Sequence, residues 1–255
     1  MSVVLYTVAK GVATITLNRP EARNALNLAM CEGLLEAARA AAADEAVRLV
    51  LVRANGPVFC AGADVKERQG MDEAQVRERR MKAFAAYAAL EALPMPAVAV
   101  ARGAVVGSGC EIAGACDFIV ATPDAYFMTP EALRGSVGAT QRLPRILGMR
   151  LAKDMMFTGR RLEAEEAERH GLVARVVEHD ALEETLCEIA RAVGEAPARA
   201  LRLAKRTLDR AQDVERKAAL ANEIEAIEQQ LAQGGGLDKN PAPVPSPRVR
   251  GEGGA

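Results

Sequence analysis

Tryptophan is absent from the 255-residue chain, and three tyrosines and five phenylalanines are its only aromatic side chains. Basic and acidic residues nearly cancel, 33 against 34, and no long basic run occurs. The chain therefore offers neither an electrostatic footprint for nucleic acid nor a stacking platform for bases. Histidine occurs only at His170 and His179, both far in sequence from the glycine-rich stretches. A Ser-His-Asp or Cys-His device needs one of them to fold back; surface or structural histidines are the simpler reading. The cysteines (Cys31, Cys60, Cys110, Cys116, Cys187) include no C-x-x-C pair, which disfavours zinc and thioredoxin-type sites. Free thiols suit a reducing compartment. No metal-ligand spacing is evident, so no metal is expected. No apolar run reaches about 18 residues, and the N-terminus has no basic segment followed by an apolar one. These absences predict a soluble, cytoplasmic protein with neither nucleic acid nor membrane as a partner.

What is present is apolar residue in quantity, 50% of the chain, enough for a sizeable core. Residues 3–9 and 12–18 read as two short strands around Lys10-Gly11. Residues 27–43 read as a helix with Asn27 as N-cap and Leu28, Cys31, Leu35 and Ala38 as its apolar stripe. The runs "LVLVRA" (49–54), "AVAVARG" (97–103) and "DFIVAT" (117–122) look like strands buried on both faces. Glycine-rich turns and helices, among them 72–92, separate them, which argues for an α/β fold. Beyond about residue 144 the chain is mostly helical, with "LVARVVE" (172–178) as one late strand. Residues 199–231 read as one long helix whose 3–4-spaced apolar face packs on its own domain or on another subunit. Three regions are expected: a core over 1–190, a helical region over 191–233, and a disordered tail over 234–255, where six Gly and four Pro leave almost nothing to bury.

The stretch "VVGSGCEIAG" (105–114) concentrates the chemical candidates. As a phosphate loop it fails, because Ile112 stands where G-x-G-x-x-G needs its last glycine. As a serine nucleophile Ser108 lacks the G-x-S-x-G frame. Its backbone N–H is another matter: small residues at a strand-to-helix turn leave N–H groups free to hold an oxyanion. The loop "CAGADVKE" (60–67) also follows a buried strand and has the same character. From sequence alone each loop is equally well a plain turn. Glu111 is out of place among small and apolar residues, since a buried carboxylate is costly unless paired or functional. Glu131 follows a proline and stands near a helix N-terminus, where acids are favoured for structural reasons as well. If the two converge, their environments can push their pKa values apart and divide acid from base work.

At these residues the chain resembles the crotonase, or enoyl-CoA hydratase/isomerase, family. The resemblance is carried by "NRPEARNAL", "CAGADVKE", "GSGCEIAGACDFIVAT", "PEALRG" and "TQRLPRILG…FTGRRLEAEEAERHGLV", in the family's order and over roughly residues 3–180. It implies a spiral of ββα units followed by a helical C-terminal oligomerisation region, assembled as a homo-trimer or hexamer. It implies acyl-CoA thioester substrates, with coenzyme A as part of the substrate and no separate cofactor. The family's oxyanion hole maps onto the backbone N–H groups of Ala63 and Ser108. Its CoA-contacting positions map onto Ala22, Ala61, Asp64, Val65 and Lys66. The two glutamates of its hydratases map onto Glu111, which activates water, and Glu131, which supplies the Cα proton.

Retention of both glutamates favours an enoyl-CoA hydratase, in fatty-acid, branched-chain or aromatic-acid degradation. An enoyl-CoA isomerase, with one glutamate shuttling a proton, is the alternative within the family. A non-catalytic member that binds acyl-CoA or RNA is the alternative outside catalysis. Two departures stand out. The segment "EALRGSVGATQR" is about three residues shorter than is usual in the family's hydratases, leaving Gly138 as the nearest candidate to position the water. The usual basic final helix is replaced by the passage from "EQQLAQ" into the Gly/Pro tail.

Overall fold

The computed structural model describes residues 2–232; the disordered tail expected over 234–255 lies outside the described residues. One compact unit runs to Gly194 and another begins at Glu195. The first opens with strands β1 (Val4–Ala9) and β2 (Val12–Leu17), an antiparallel hairpin. Lys10 and Gly11 both have positive φ, 50° and 77°, the backbone twist a two-residue hairpin loop requires. Helix α1 (Leu28–Ala43) follows, its first turn closed by the Asn27 side chain accepting from Met30 N. Next come β3 (Leu49–Ala54), α2 (Val65–Arg68) and α3 (Glu73–Glu91), the last begun by a reciprocal capping box between Asp72 and Gln75. Then come β4 (Ala97–Ala101), β5 (Ala104–Val106), α4 (Ser108–Gly114), β6 (Phe118–Ala121) and β7 (Tyr126–Met128). The unit ends with α5 (Arg142–Leu147), α6 (Met149–Thr158), β8 (Leu162–Glu163), α7 (Ala164–Arg169), β9 (Arg175–Val176) and α8 (Leu182–Glu195).

The main sheet has the order β1-β2-β3-β4-β6-β9, parallel from β2 onward, and a second sheet has the order β5-β7-β8. After each central strand the chain leaves the first sheet and touches the second before its helix. Thus β4 leads to β5 and then α4, while β6 leads to β7. β3 leads to Cys60, which bridges Val105 in parallel, and Ala63 bridges Leu26. Repetition of this step makes a spiral of ββα turns whose helix starts line up along the second sheet.

Alternation along the central strands explains their continuous apolar runs. Val50, Val52, Ala97 and Ala99 face the core shared with α1 and α3. Leu49, Leu51, Val98, Val100 and Val120 face a second core closed by Leu182, Leu186 and Ile189 of α8. A strand covered on both sides carries no polar face.

Three expectations shift. On α1 the buried stripe is Met30, Cys31, Leu34, Ala37, Ala38 and Ala41, so Leu28 and Leu35 sit at its margin. The late strand shrinks to β9; Leu172 and Val173 are buried side chains outside it. The single helix over 199–231 is two helices, α9 (Ala198–Ala211) and α10 (Arg216–Ala232), which pack on one another. Tight i→i−3 bonds from Gln212 N to Asp209 O and from Asp213 N to Arg210 O close α9. Asp213 and Val214 are poor helix formers at the break. The apolar spacing runs unbroken through the turn because both helices need an inward face, and periodicity alone cannot separate one helix from two.

Candidate active site

Seven of the positions singled out in the sequence, Ala61, Ala63, Val65, Ser108, Glu111, Glu131 and Gly138, line one cavity of about 390 Å³ in the first unit. The parallel bridge between Cys60 and Val105 sets the level of the two loops. Ala63 and Ser108 each lie three residues beyond their bridged partner, so both reach the same rim. Cys60 N donates to Ala104 O (3.0 Å) and Val106 N to Cys60 O (2.9 Å), which locks that register. Gly109 makes the approach feasible: a Cβ there would stand 2.7 Å from Cys60 O. Among the described residues neither Ala63 N–H nor Ser108 N–H has a backbone acceptor. For Ser108 the reason is its place as first residue of α4, ahead of any intrahelical partner.

Glu111 follows Ser108 by one helical turn, so its carboxylate and the free N–H share a face of α4. Glu111 Oε2 accepts from Arg142 Nη1 at 2.7 Å, with the two side chains only 9% and 10% exposed. Arg142 Nη2 reaches Glu91 Oε2 at 2.5 Å, and its guanidinium carbon lies 6.0 Å from the Tyr87 ring centre. The buried Tyr87 hydroxyl is hydrogen-bonded to the Ser108 side chain, and burial pushes its pKa up.

Glu131 comes from the other side. It precedes a single 3-10 turn, Ala132–Arg134, after Pro130, so the expected helix start is one short turn. Its Oε2 is buried without a hydrogen-bond partner among the described residues. Burial raises its pKa, and the neighbouring Glu111 charge raises it further; its own backbone N–H and Arg134 oppose this only in part. Glu131 therefore holds its proton more tightly than an ordinary glutamate, while the Glu111 carboxyl is paired with Arg142. Two glycines press on it. A Cβ on Gly107 would collide with Glu131 Oε1, and one on Gly138 would stand 3.2 Å from Glu131 Cγ.

The remaining expected contacts divide. Ala61 and Val65 line the cavity, whereas Ala22, Asp64 and Lys66 are not part of its wall. The Asp64 carboxylate is committed locally: it accepts from Lys66 N (3.0 Å) and Glu67 N (3.2 Å) as the cap of α2 and pairs with Arg19 at 3.0 Å. Burial alone would raise its pKa, but the Glu67 N–H and the Arg19 guanidinium hold it below the usual carboxylate range. Neither histidine lines the cavity; His179 Nε2 lies 3.0 Å from Asp124 Oδ1 at a half-exposed position. Among the described residues no three His, Cys, Asp or Glu side chains converge as metal ligands.

Arg142 carried no assignment in the sequence, although it stands in the "TQR" motif. The signal was available: a carboxylate buried in an apolar turn requires a counter-ion. Tyr87 was legible only as an apolar position of α3.

Two sheets wound as ββα turns, with free N–H groups and two glutamates at one cavity, define a crotonase-type α/β enzyme fold. The chain belongs to the enoyl-CoA hydratase/isomerase family, whose model matches residues 7–235. It is 40% identical over 223 residues to "Enoyl-CoA hydratase domain-containing protein 2, mitochondrial" of Homo sapiens, covering 84% of this chain and 76% of that one. It is 38% identical to a putative enoyl-CoA hydratase/isomerase of Bacillus subtilis, covering 89% and 90%. The crystal structure of an enoyl-CoA hydratase from Bacillus anthracis superposes with a TM-score of 0.87 at 35% identity, covering 90% of this chain and 91% of that one. The chain is thus an enzyme of the hydratase/isomerase kind, and no helix among the described residues is long and apolar enough to cross a membrane.

Proposed function

We propose that the chain adds water reversibly across the double bond of a 2-enoyl-CoA thioester. The observation that carries this reading is the unequal pair of carboxylates lining one cavity: Glu111 paired with Arg142, Glu131 with its pKa raised by burial. In this reading the thioester oxygen accepts hydrogen bonds from Ala63 N–H and Ser108 N–H. As the water oxygen bonds to Cβ, Glu111 takes its proton. The π electrons move toward Cα, and the negative charge on the enolate oxygen rests in the two N–H groups. Glu131 then delivers its proton to Cα, and a proton passed from Glu111 to Glu131 restores the starting state. The donors act chiefly when charge develops on that oxygen, which is the requirement for raising turnover rather than only binding.

Ala61 and Val65 on the cavity wall, with Ala22, Asp64 and Lys66 in or near the same loops, are the residues assigned to coenzyme A. Gly138, pressed against Glu131, is the nearest backbone to position the water. Coenzyme A enters as part of the substrate and no other cofactor takes part. A homo-trimer or hexamer accounts for the apolar surface of α9 and α10, where Leu208 is 68% and Leu231 63% exposed.

Purified protein mixed with crotonyl-CoA tests the reading. Loss of the conjugated-thioester absorbance with formation of the 3-hydroxyacyl product is expected. A shifted double bond without added water would replace hydration by isomerisation.

A further inference from the structure

We propose that the acyl end of this cavity selects acyl-CoA molecules whose chain ends in a carboxylate, with Arg80 as the receiving cation. This rests on the reading of the cavity as an acyl-CoA site. Four arginines line it: Arg68, Arg79, Arg80 and Arg134. Arg79 is neutralised by Glu67 Oε2 at 2.8 Å and also donates to Leu26 O. Neither lining glutamate forms an ion pair with the others among the described residues. Glu111 Oε2 is taken by Arg142, and Glu131 Oε2 is buried without a hydrogen-bond partner. Arg80 has no carboxylate partner among the described residues. Its side chain makes one hydrogen bond, Nη2 to the neutral Ser136 Oγ at 2.6 Å.

The position of that bond assigns the charge to the acyl side. Ser136 N donates to Glu131 O at 2.9 Å, so Arg80 is tied to the loop that carries Glu131. It is not tied to the 60–67 loop where coenzyme A is assigned. The neighbouring wall is apolar, with Val76, Ala83, Phe84 and Val137. A guanidinium on such a wall is unfavourable once an alkyl chain displaces water from it, unless the chain itself brings an acceptor. A terminal carboxylate satisfies it, and its planar pair of oxygens matches the donor fork of arginine.

Titration calorimetry with saturated acyl-CoAs tests this without any turnover. Pentanoyl-CoA and glutaryl-CoA have equal carbon counts and the same coenzyme A phosphates, and hexanoyl-CoA with adipoyl-CoA extends the reach by one carbon. In the unsubstituted protein the carboxylate-ended member of at least one pair should bind about tenfold tighter or more at low salt. In Arg80→Met the ratio should fall to about one, and Arg80→Lys should keep part of it. Equal or tighter binding of both methyl-ended members by the unsubstituted protein overturns the proposal, whether or not the variants fold. So does an Arg80→Met protein that weakens both members of a pair equally, which would make Arg80 only a latch for the loop. Failure to hydrate crotonyl-CoA would remove the hydratase reading and leave this binding preference standing; failure to bind any acyl-CoA would remove both.

Discussion

Arg142 forms an ion pair at 2.7 Å with Glu111 of the cavity wall, with both side chains about nine-tenths shielded from solvent. The second arm of Arg142 reaches the exposed Glu91, so the guanidinium is gripped from two sides. Removing one partner of a shielded pair leaves the other charge uncompensated, which costs more than the pair itself contributes. Arg142→Met should lower thermal stability, by about 3 kcal/mol. It should also lower kcat more than it lowers acyl-CoA affinity, because the Glu111 carboxylate would lose the contact that holds it in place. Arg142→Lys should restore part of both. An unchanged kcat in a folded Arg142→Met protein would reduce Arg142 to a structural role.

Glu111→Gln and Glu131→Gln should each lower kcat by about 10²–10⁴-fold, with acyl-CoA binding nearly intact. Steady-state rates together with a direct binding titration check this. Near-normal turnover in either variant would move the catalytic assignment elsewhere.

The raised pKa of Glu131 has a stability counterpart. Its folded state holds the proton more tightly than the unfolded chain, where a glutamate titrates at its ordinary value of 4.5. The stabilisation is therefore complete below that value and is lost as pH rises through the folded pKa. Glu131→Gln, which imitates the protonated form, should be more stable than the parent above this window and should flatten the dependence within it. Denaturant midpoints across the pH range measure this directly; a variant less stable than the parent at neutral pH contradicts it.

Gly107 has φ +52°, and a Cβ there would meet Glu131 Oε1. Gly107→Ala should cost about 1–3 kcal/mol from the backbone alone and should reduce turnover further by displacing Glu131. Comparing its activity loss with its melting shift separates the two effects.

The exposed apolar residues of α9 and α10 should lie in subunit contacts under the oligomer proposed above. Leu208→Lys with Leu231→Lys should shift the mass measured by light scattering downward. An unchanged mass would place the contact elsewhere.

Much of the first unit was legible in advance because its signals are local. The hairpin follows from β-branched alternation around Lys10-Gly11, and α1 from an asparagine cap. The buried strands follow from short apolar runs that only two-sided burial explains. The C-terminal helices were read less well. Their stripe continues through Gln212–Glu215, and a fold-back preserves the same spacing as a straight helix.

For the site, residue types alone marked Glu111 as an acid in apolar surroundings and Ser108 as a turn with spare N–H groups. They left open whether either had a partner. The parallel register that joins Cys60 to Val105 brings Ala63 level with Ser108, and long-range pairing of this kind is invisible in sequence spacing. The same holds for Arg142, which lies 31 residues beyond Glu111 yet sets its charge environment. The sequence by itself determined the elements, the candidate acids and the need for a counter-ion, because propensity, patterning and desolvation act locally. Only the tertiary structure decided which glutamate is paired and which is pushed toward its proton. That division depends on burial and on neighbours supplied by other turns of the spiral.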